Sequence, residues 1–191
     1  MLKKYMIKIY ENDAYIKEFV TKIAEIKKIE KLIELKETAF YAKGGGQPGD
    51  KGVLINNNQE IKVINTIKIE NKIYHEVESI EKISLEETIE GKINWKIRYK
   101  HMRMHSALHL MCSIIPMGVT GGQIGFEKSR LDFNDPDKKI NKEEVEEKLN
   151  ELVSEDHKIT YELIDSKVLE EKPEIVRTMS VKPPQINGKL D

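Results

Sequence analysis

The stretch IKVINTIKI at residues 61–69 decides how the first half of this chain folds. Ile61, Val63, Ile67 and Ile69 alternate with mostly polar neighbours, which is the pattern of a half-buried β-strand. Much of the apolar content of the chain is isoleucine, a β-branched residue that favours strands. We therefore expect substantial β-sheet.

The flanking sequence extends this prediction. Three asparagines at 56–58 are a turn signal, and KIYHEV at 72–77 indicates another short strand. Residues 18–36 suit a helix by spacing, but their β-branched content favours strands. Residues 1–90 are therefore predicted to be β-rich.

The pattern changes after Gly91. Apolar spacing over residues 97–115 predicts a helix, which Pro116 ends. Several glycines follow, together with a strand-like pair at 123–126 and 130–133. The second part of the chain is therefore predicted to mix helices with strands.

A second helix has a clear start signal. Asn141 can cap it, and Glu144 three residues later completes a capping box. Its apolar face consists of Val145, Leu149, Leu152 and Val153. Strands are predicted at 159–164 and 175–181, with a proline turn near residue 183.

His105 and His109 are four residues apart on the first predicted helix, so their side chains share one face. Two imidazoles placed in this way can share one metal ion, as in helical zinc proteases. Those proteases carry a glutamate where this chain has Ser106, which argues against a protease. By itself, such a pair is more often two ordinary histidines. Cys112 lies seven residues, or ~10.5 Å along the helix, beyond His105, so a buried, inert thiol is a better interpretation than a third ligand.

The segment GGGQPGDKG at residues 44–52 is unusual in a chain that is otherwise poor in glycine. Glycine permits positive φ and lets a ligand or another backbone approach closely. The segment lacks the ending of a phosphate-binding loop and the spacing of a dinucleotide fingerprint. Taken alone, it is most simply a flexible turn between strands.

Residues 92–103 carry basic side chains without an acidic one, and aromatic residues are interleaved with them. The basic residues are Lys92, Lys96, Arg98, Lys100 and Arg103, and the aromatic ones are Trp95 and Tyr99. The segment could contact a nucleic-acid backbone or stack on a base. A solvated face of a lysine-rich protein explains it at least as well.

The composition limits the classes of function that the chain can have. With a net charge of −1 over 191 residues, nucleic-acid binding would have to rest on a local patch. A single cysteine excludes an internal disulfide and fits a cytoplasmic setting, which we expect. No uncharged run approaches the ~18 residues of a membrane span, and we expect no signal peptide.

These pieces resemble one family in a fixed order. TAFYAKGGGQPGDKG at 38–52 resembles the T-x-F-Y…G-G-G-Q-P-x-D-x-G signature of alanyl-tRNA synthetase editing domains and their stand-alone AlaX-type relatives. RMHSALHL at 103–110 is similar to that family's R-x-x-H-T-A-x-H-L helix. The short segments at 122–124, 131–133 and 176–177 follow in the expected order. The resemblance covers essentially the whole chain.

The chain departs from the family pattern at three places. Ser106 replaces a threonine and keeps the hydroxyl, and Ala42 replaces a proline. In the family an aspartate is followed shortly by a C-G-G-T-H segment that supplies two zinc ligands. Asp191 resembles that aspartate, so we expect only two of the four ligands in this sequence.

The resemblance implies an α+β protein. We expect an N-terminal β-barrel-like subdomain over residues 1–90, which contains the glycine motif. We expect a C-terminal two-layer α/β editing domain over residues 91–191, which contains the helix with both histidines.

The resemblance also implies a function, namely zinc-dependent removal of serine or glycine from wrongly charged tRNA for alanine. His105 and His109 would bind Zn2+, and no catalytic residue is assigned. Thr38 would read the serine hydroxyl, because a site that hydrogen-bonds a hydroxyl penalises substrates without one. The remaining substrate-binding residues would be Gly44, Gly45, Gly46 and Gln47.

Other functions are compatible with parts of the sequence. A tRNA-binding module that lacks catalysis fits an incomplete zinc site. An unrelated metallohydrolase leaves the glycine segment unexplained, and a purely structural protein makes all three motifs coincidental. No ATP-binding signature is present, so we expect editing in trans or a fragment of a larger editing protein.

Overall fold

The protein is described by a computed structural model that covers residues 7–81, 83–160, 164–172, 176, 185–186 and 189–190. These residues group into two compact units. The first contains the described residues up to Met102, together with Ile124–Phe126. The second contains Arg103–Gln123 and the described residues from Glu127 onward. No helix among the described residues is long and apolar enough to cross a membrane.

Among the described residues, strands dominate the first half of the chain, and the α-helices lie from Trp95 onward. The strands are β1 (Ile7–Lys8), β2 (Glu18–Lys27), β3 (Leu32–Leu35), β4 (Glu37–Thr38), β5 (Gly52–Asn56), β6 (Gln59–Ile69), β7 (Lys72–Val77), β8 (Thr88–Ile93), β9 (Val119–Gln123), β10 (Arg130–Phe133), β11 (Ile164–Asp165), β12 (Gln185–Ile186) and β13 (Lys189–Leu190). The helices are α1 (Trp95–Ile114), α2 (Lys142–Ser154) and α3 (Ser166–Glu171), with a 3-10 turn at Ile9–Glu11.

Six strands close into an antiparallel barrel in the order β2-β3-β7-β6-β5-β8. Alternate residues of β2 point inward, so Phe19, Thr21 and Ile23 are buried while their neighbours face water. The core that they join includes Ile33, Leu35, Phe40, Leu54, Val63, Val77 and Ile89. The predictions of strands over residues 18–36 and of a barrel-like N-terminal part are confirmed.

Strand β6 departs from the regular alternation that the sequence predicts. Its register with β7 shifts between Val63 and Asn65, where one extra residue is inserted. A single inserted residue reverses the faces of all residues beyond it. Thr66 is therefore fully buried, whereas Ile69 is 36% exposed. The prediction that Ile69 shares the inward face was wrong.

Helix α1 is confirmed, although it begins two residues earlier than predicted. Asn94 fixes its start, since the Asn94 Oδ1 accepts from the Ile97 N–H at 3.3 Å. The strand predicted at 123–126 is wrong: β9 lies earlier, at Val119–Gln123, and pairs with the correctly predicted β10. Ile124 leaves that ladder because its N–H donates to the Gly46 carbonyl at 2.9 Å.

Helix α2 begins as predicted, with the Asn141 Oδ1 accepting from the backbone N–H groups of Glu143 and Glu144 at 3.0 and 3.3 Å. The Glu144 carboxylate pairs with Lys148, one turn further along. The apolar face is narrower than predicted, because Val153 is 58% exposed.

The remaining predictions concern the C-terminal part. In the predicted strand at 159–164, residues 161–163 lie outside the described residues, and Ile159 is 78% exposed. The predicted strand at 175–181 and the proline turn lie almost wholly outside them too, as does Asp191. The two-layer arrangement and the domain boundary near residue 90 stay predictions.

Candidate functional site

The glycine segment forms a tight reverse turn between the barrel strands. Gly44 and Gln47 exchange two backbone hydrogen bonds, of 3.1 and 2.8 Å. The two residues between them, Gly45 and Gly46, have φ angles of 54° and 78°. Side chains rarely adopt such angles, so this turn needs glycine at both positions. Gly45 and Gly46 are exposed, whereas Gln47 is buried.

A buried ion pair between Asp50 and Arg98 stabilises the base of this turn. The Tyr41 N–H donates to the Asp50 Oδ2 at 2.8 Å, and the Asp50 N–H returns a bond to the Tyr41 carbonyl at 2.9 Å. Arg98 of α1 donates to the same carboxylate oxygen and, at 3.4 Å, to the carbonyl of Ala39. The side chains of Asp50 and Arg98 are only 1% and 3% exposed. The turn is thereby tied to the first half of α1.

The electrostatics of this pair are dominated by burial. Burial raises the pKa of the Asp50 carboxyl, although the Arg98 guanidinium and the Tyr41 N–H both act to lower it. Within the described part of the chain, Asp50 Oδ1 and Arg98 Nε have no hydrogen-bond partner. The pair is therefore held in a poorly solvated position, where removal of one partner would be costly.

A second buried contact joins Thr38 to His75, and the hydrogen positions follow from chemistry. His75 Nδ1 lies 3.0 Å from the carbonyl of Ile33, which can only accept, so this nitrogen carries the proton. His75 Nε2 is therefore an acceptor, and the Thr38 hydroxyl donates to it at 2.8 Å. The Thr38 oxygen also accepts from the Phe40 N–H at 3.1 Å. The Thr38 hydroxyl thus has a fixed orientation.

His75 remains neutral in this position. Burial lowers its pKa from 6.5 to about 4, although the hydrogen bond to Ile33 favours the charged form. His75 was not among the site residues predicted from the sequence. Its one signal was a polar side chain at the inward position between Ile73 and Val77 of β7.

Thr66 links the glycine turn to the Thr38–His75 contact. Its carbonyl accepts from the Lys43 N–H at 2.9 Å, and its hydroxyl donates to the Asp50 carbonyl at 2.9 Å. Thr66 is also paired with His75 across β6 and β7. The predicted substrate-binding residues Thr38, Gly44, Gly45, Gly46 and Gln47 all belong to the barrel unit.

The two predicted metal ligands lie in the second unit, on α1. The rings of His105 and His109 are nearly parallel, with centroids 5.1 Å apart. His105 is half-buried and His109 is exposed. Burial, with a smaller contribution from His109, lowers the pKa of His105, so His105 favours the neutral imidazole. Neutral imidazole is the form that binds metal.

These residues fit a zinc site in part. Zinc takes nitrogen and sulfur donors and completes a set of four, or of three with a water. Among the described residues, no group of three or more histidine, cysteine or acidic side chains is placed to hold a metal ion. Cys112 is half-buried and forms no disulfide. The pair therefore supplies two donors.

Comparison with known proteins gives consistent similarities. The family described as tRNA synthetases class II (A) matches residues 5–97. An alanyl-tRNA editing protein AlaX-M of Methanosarcina mazei is 33% identical over 187 residues, which cover 90% of this chain and 73% of that protein. An AlaX-M protein of Saccharolobus solfataricus is also 33% identical, and the alignment covers 77% of that protein. An alanine–tRNA ligase of Pyrococcus furiosus is 33% identical over 86% of this chain but only 19% of the ligase.

Proposed function

Because the chain belongs to the family of alanyl-tRNA editing proteins, we propose that it hydrolyses the ester bond between serine or glycine and tRNA for alanine. Water adds to the ester carbonyl, the bond from carbonyl carbon to ribose oxygen breaks, and the tRNA leaves with a proton. The glycine turn is the observation that carries the proposal. Its exposed backbone at Gly45 and Gly46 offers close approach to the aminoacyl end of a tRNA.

Thr38 is proposed to select serine over alanine. The Thr38 hydroxyl donates its hydrogen to His75 Nε2, and one of its two lone pairs accepts from the Phe40 N–H. The second lone pair is left as an acceptor. A serine hydroxyl can donate to that lone pair, whereas the alanine methyl cannot. Thr38 is fully buried, so the substrate side chain would have to displace the residues that cover it.

The matched variants Thr38→Val and Thr38→Ser test this role. Valine keeps the shape and removes the hydroxyl, so we expect the ratio of seryl to alanyl hydrolysis to fall by roughly tenfold or more. Serine keeps the hydroxyl and should retain most of the ratio. The ratio is measured from initial rates of amino-acid release, with thermal unfolding as a check on the fold. An unchanged ratio in Thr38→Val would remove Thr38 from the proposal.

We propose further that His105 and His109 contribute two ligands to a zinc ion. Zinc bound there would polarise the ester carbonyl or a water molecule, or would anchor the aminoacyl end. Bound zinc per chain after gel filtration tests the ligands without any assay of activity. Loss of zinc in His105→Ala and His109→Ala, but not in His157→Ala, is the expected pattern. Equal zinc in all variants would refute the assignment.

The reaction itself is tested by zinc-supplemented hydrolysis of seryl-tRNA for alanine. Residues 1–191 are compared with a chain extended beyond Asp191 by a segment that carries the family's C-G-G-T-H motif. Release of serine by either chain, with correct alanyl-tRNA spared, supports the editing hydrolase. If neither chain releases serine, the hydrolase proposal fails.

A tRNA-binding module without catalysis is the second candidate. One observation favours it: among the described residues, no group of three or more possible metal ligands is brought together. Binding of tRNA without release of serine would select this candidate.

A further inference from the structure

Three aromatic rings meet on the surface of the barrel unit. Trp95 and Tyr99 stack one turn apart on α1, with centroids 5.6 Å apart and planes 26° apart. Tyr15 packs beside both, at 5.6 Å from Trp95 and 6.4 Å from Tyr99. Tyr15 is 60% exposed and Tyr99 is 39% exposed. We call this set the aromatic platform.

The platform is assembled from two distant parts of the chain. Tyr15 lies before β2, where its N–H donates to the Asp13 carboxylate at 2.8 Å. Trp95 opens α1 and follows the capping residue Asn94. Three rings gathered at the surface bury less apolar area than they would in a core, so their position favours a role in binding.

One basic side chain lies against the platform, and another is next to it in the sequence. Lys17 Nζ lies 5.0 Å from the centre of the Trp95 ring, and Lys96 directly follows Trp95 on α1. Both lysines are exposed. Lys92 adds little charge, because it pairs with Glu18 and Glu90 at 3.4 and 3.3 Å. Helix α1 contains no acidic residue, so its first turns are positively charged. Aromatic rings with lysines beside them are the combination that binds single-stranded nucleic acid.

A backbone hydrogen bond connects the start of α1, where the platform lies, to the base of the glycine turn. The Asn94 N–H donates to the Lys51 carbonyl at 2.8 Å, and Lys51 directly follows Asp50 at the base of that turn. Both features belong to the barrel unit. If the 3′ end of an RNA strand reached the glycine turn, the unpaired nucleotides before it would lie near the start of α1.

We propose that the aromatic platform stacks on an unpaired base in the single-stranded 3′ end of the tRNA, while Lys17 and Lys96 contact adjacent phosphates. The identity of the RNA rests on the proposed editing function. The stacking surface is sequence-tolerant, because every base has an aromatic face. The platform therefore contributes affinity and position, and amino-acid choice lies elsewhere.

The chain has a single tryptophan, so its fluorescence reports on the platform alone. The probe is a short single-stranded RNA that carries no amino acid and has the sequence of a tRNA 3′ end. We expect saturable quenching of Trp95 by this RNA and none by inorganic polyphosphate, which has the charge but no bases. Tyr15→Leu and Tyr99→Leu should each raise the Kd about tenfold, whereas Tyr15→Phe and Tyr99→Phe should bind like the unmodified chain.

The lysines are tested by the salt dependence of binding. Lys17→Gln and Lys96→Gln should each lower the slope of log Kd against log salt by roughly one. Lys28→Gln, which removes an exposed lysine from the β2–β3 turn, is the matched control and should leave the slope unchanged.

Three results would overturn the platform: no quenching by RNA, equal quenching by polyphosphate, or unchanged Kd in both leucine variants. The RNA probe carries no aminoacyl ester, so this experiment is independent of the proposed hydrolysis. A chain that is quenched by RNA but releases no serine refutes the hydrolase and keeps the platform. A chain that releases serine without quenching keeps the hydrolase and refutes the platform.

Discussion

The two units of this protein treat polar side chains in opposite ways. The barrel unit buries them in pairs: Asp50 with Arg98, and Thr38 with His75. Among the residues described in the second unit, polar side chains stay at least partly exposed, as with the Asn141 cap of α2. Buried pairs are expensive to separate, and exposed ones are cheap. The glycine turn should therefore keep its shape without a ligand.

The largest effect is expected from Arg98→Leu. This change leaves the Asp50 carboxylate buried without its cation and also removes the bond to the Ala39 carbonyl. Loss of one partner of a buried ion pair costs roughly 3–5 kcal/mol of unfolding free energy. Urea unfolding followed by circular dichroism measures it.

Lys96→Leu is the control for this prediction, because Lys96 is exposed and lies on the same helix. A surface change of this kind should stay within about 0.5 kcal/mol. A similar, small cost for both variants would show that the barrel unit does not depend on its buried pair, and the contrast between the units would fail.

A smaller effect is expected from acidification, through His75. The pKa of His75 falls from 6.5 in the unfolded chain to about 4 in the fold. Between these values only the unfolded chain takes up the proton, so stability falls as the pH falls and is constant above 6.5. The full loss is about 3 kcal/mol, since each pKa unit is worth roughly 1.4 kcal/mol.

Urea unfolding near neutral pH and at about pH 4.5 measures most of this loss. His75→Gln should show a shallower decline, because glutamine does not titrate. His157→Gln removes an exposed histidine and should decline like the unmodified chain. If the decline of His75→Gln matched that of the unmodified chain, His75 would not be the group that responds to acid.

What could be predicted from the sequence was mostly local. The Asn141 cap, the strand at 72–77 and the turn at 56–58 each depend on neighbouring residues, and all three are confirmed. The bulge in β6 was missed, because it is fixed by pairing with β7 rather than by its own residues.

The partners of the candidate site were missed for a related reason. Arg98 looked like one basic residue among several, and only the fold brings it to Asp50, 48 positions earlier. The same holds for Thr38 and His75, which are 37 positions apart. The roles of the glycine segment and the paired histidines came from their resemblance to a family, since their spacing alone was ambiguous.

The smallest effect is expected from Asn141→Ala in the second unit. The Asn141 side chain accepts two backbone N–H groups at the start of α2, and both remain accessible to water when it is removed. Loss of such a cap costs typically about 1 kcal/mol. Asn141→Asp keeps the acceptor and should cost less, so the two variants isolate the cap in urea unfolding. If Asn141→Ala cost as much unfolding free energy as Arg98→Leu, then exposed polar contacts would matter as much as buried ones, and the contrast between the two units would fail. A cost near 1 kcal/mol would support the contrast between a barrel unit with buried polar pairs and a second unit held by weaker, solvated contacts.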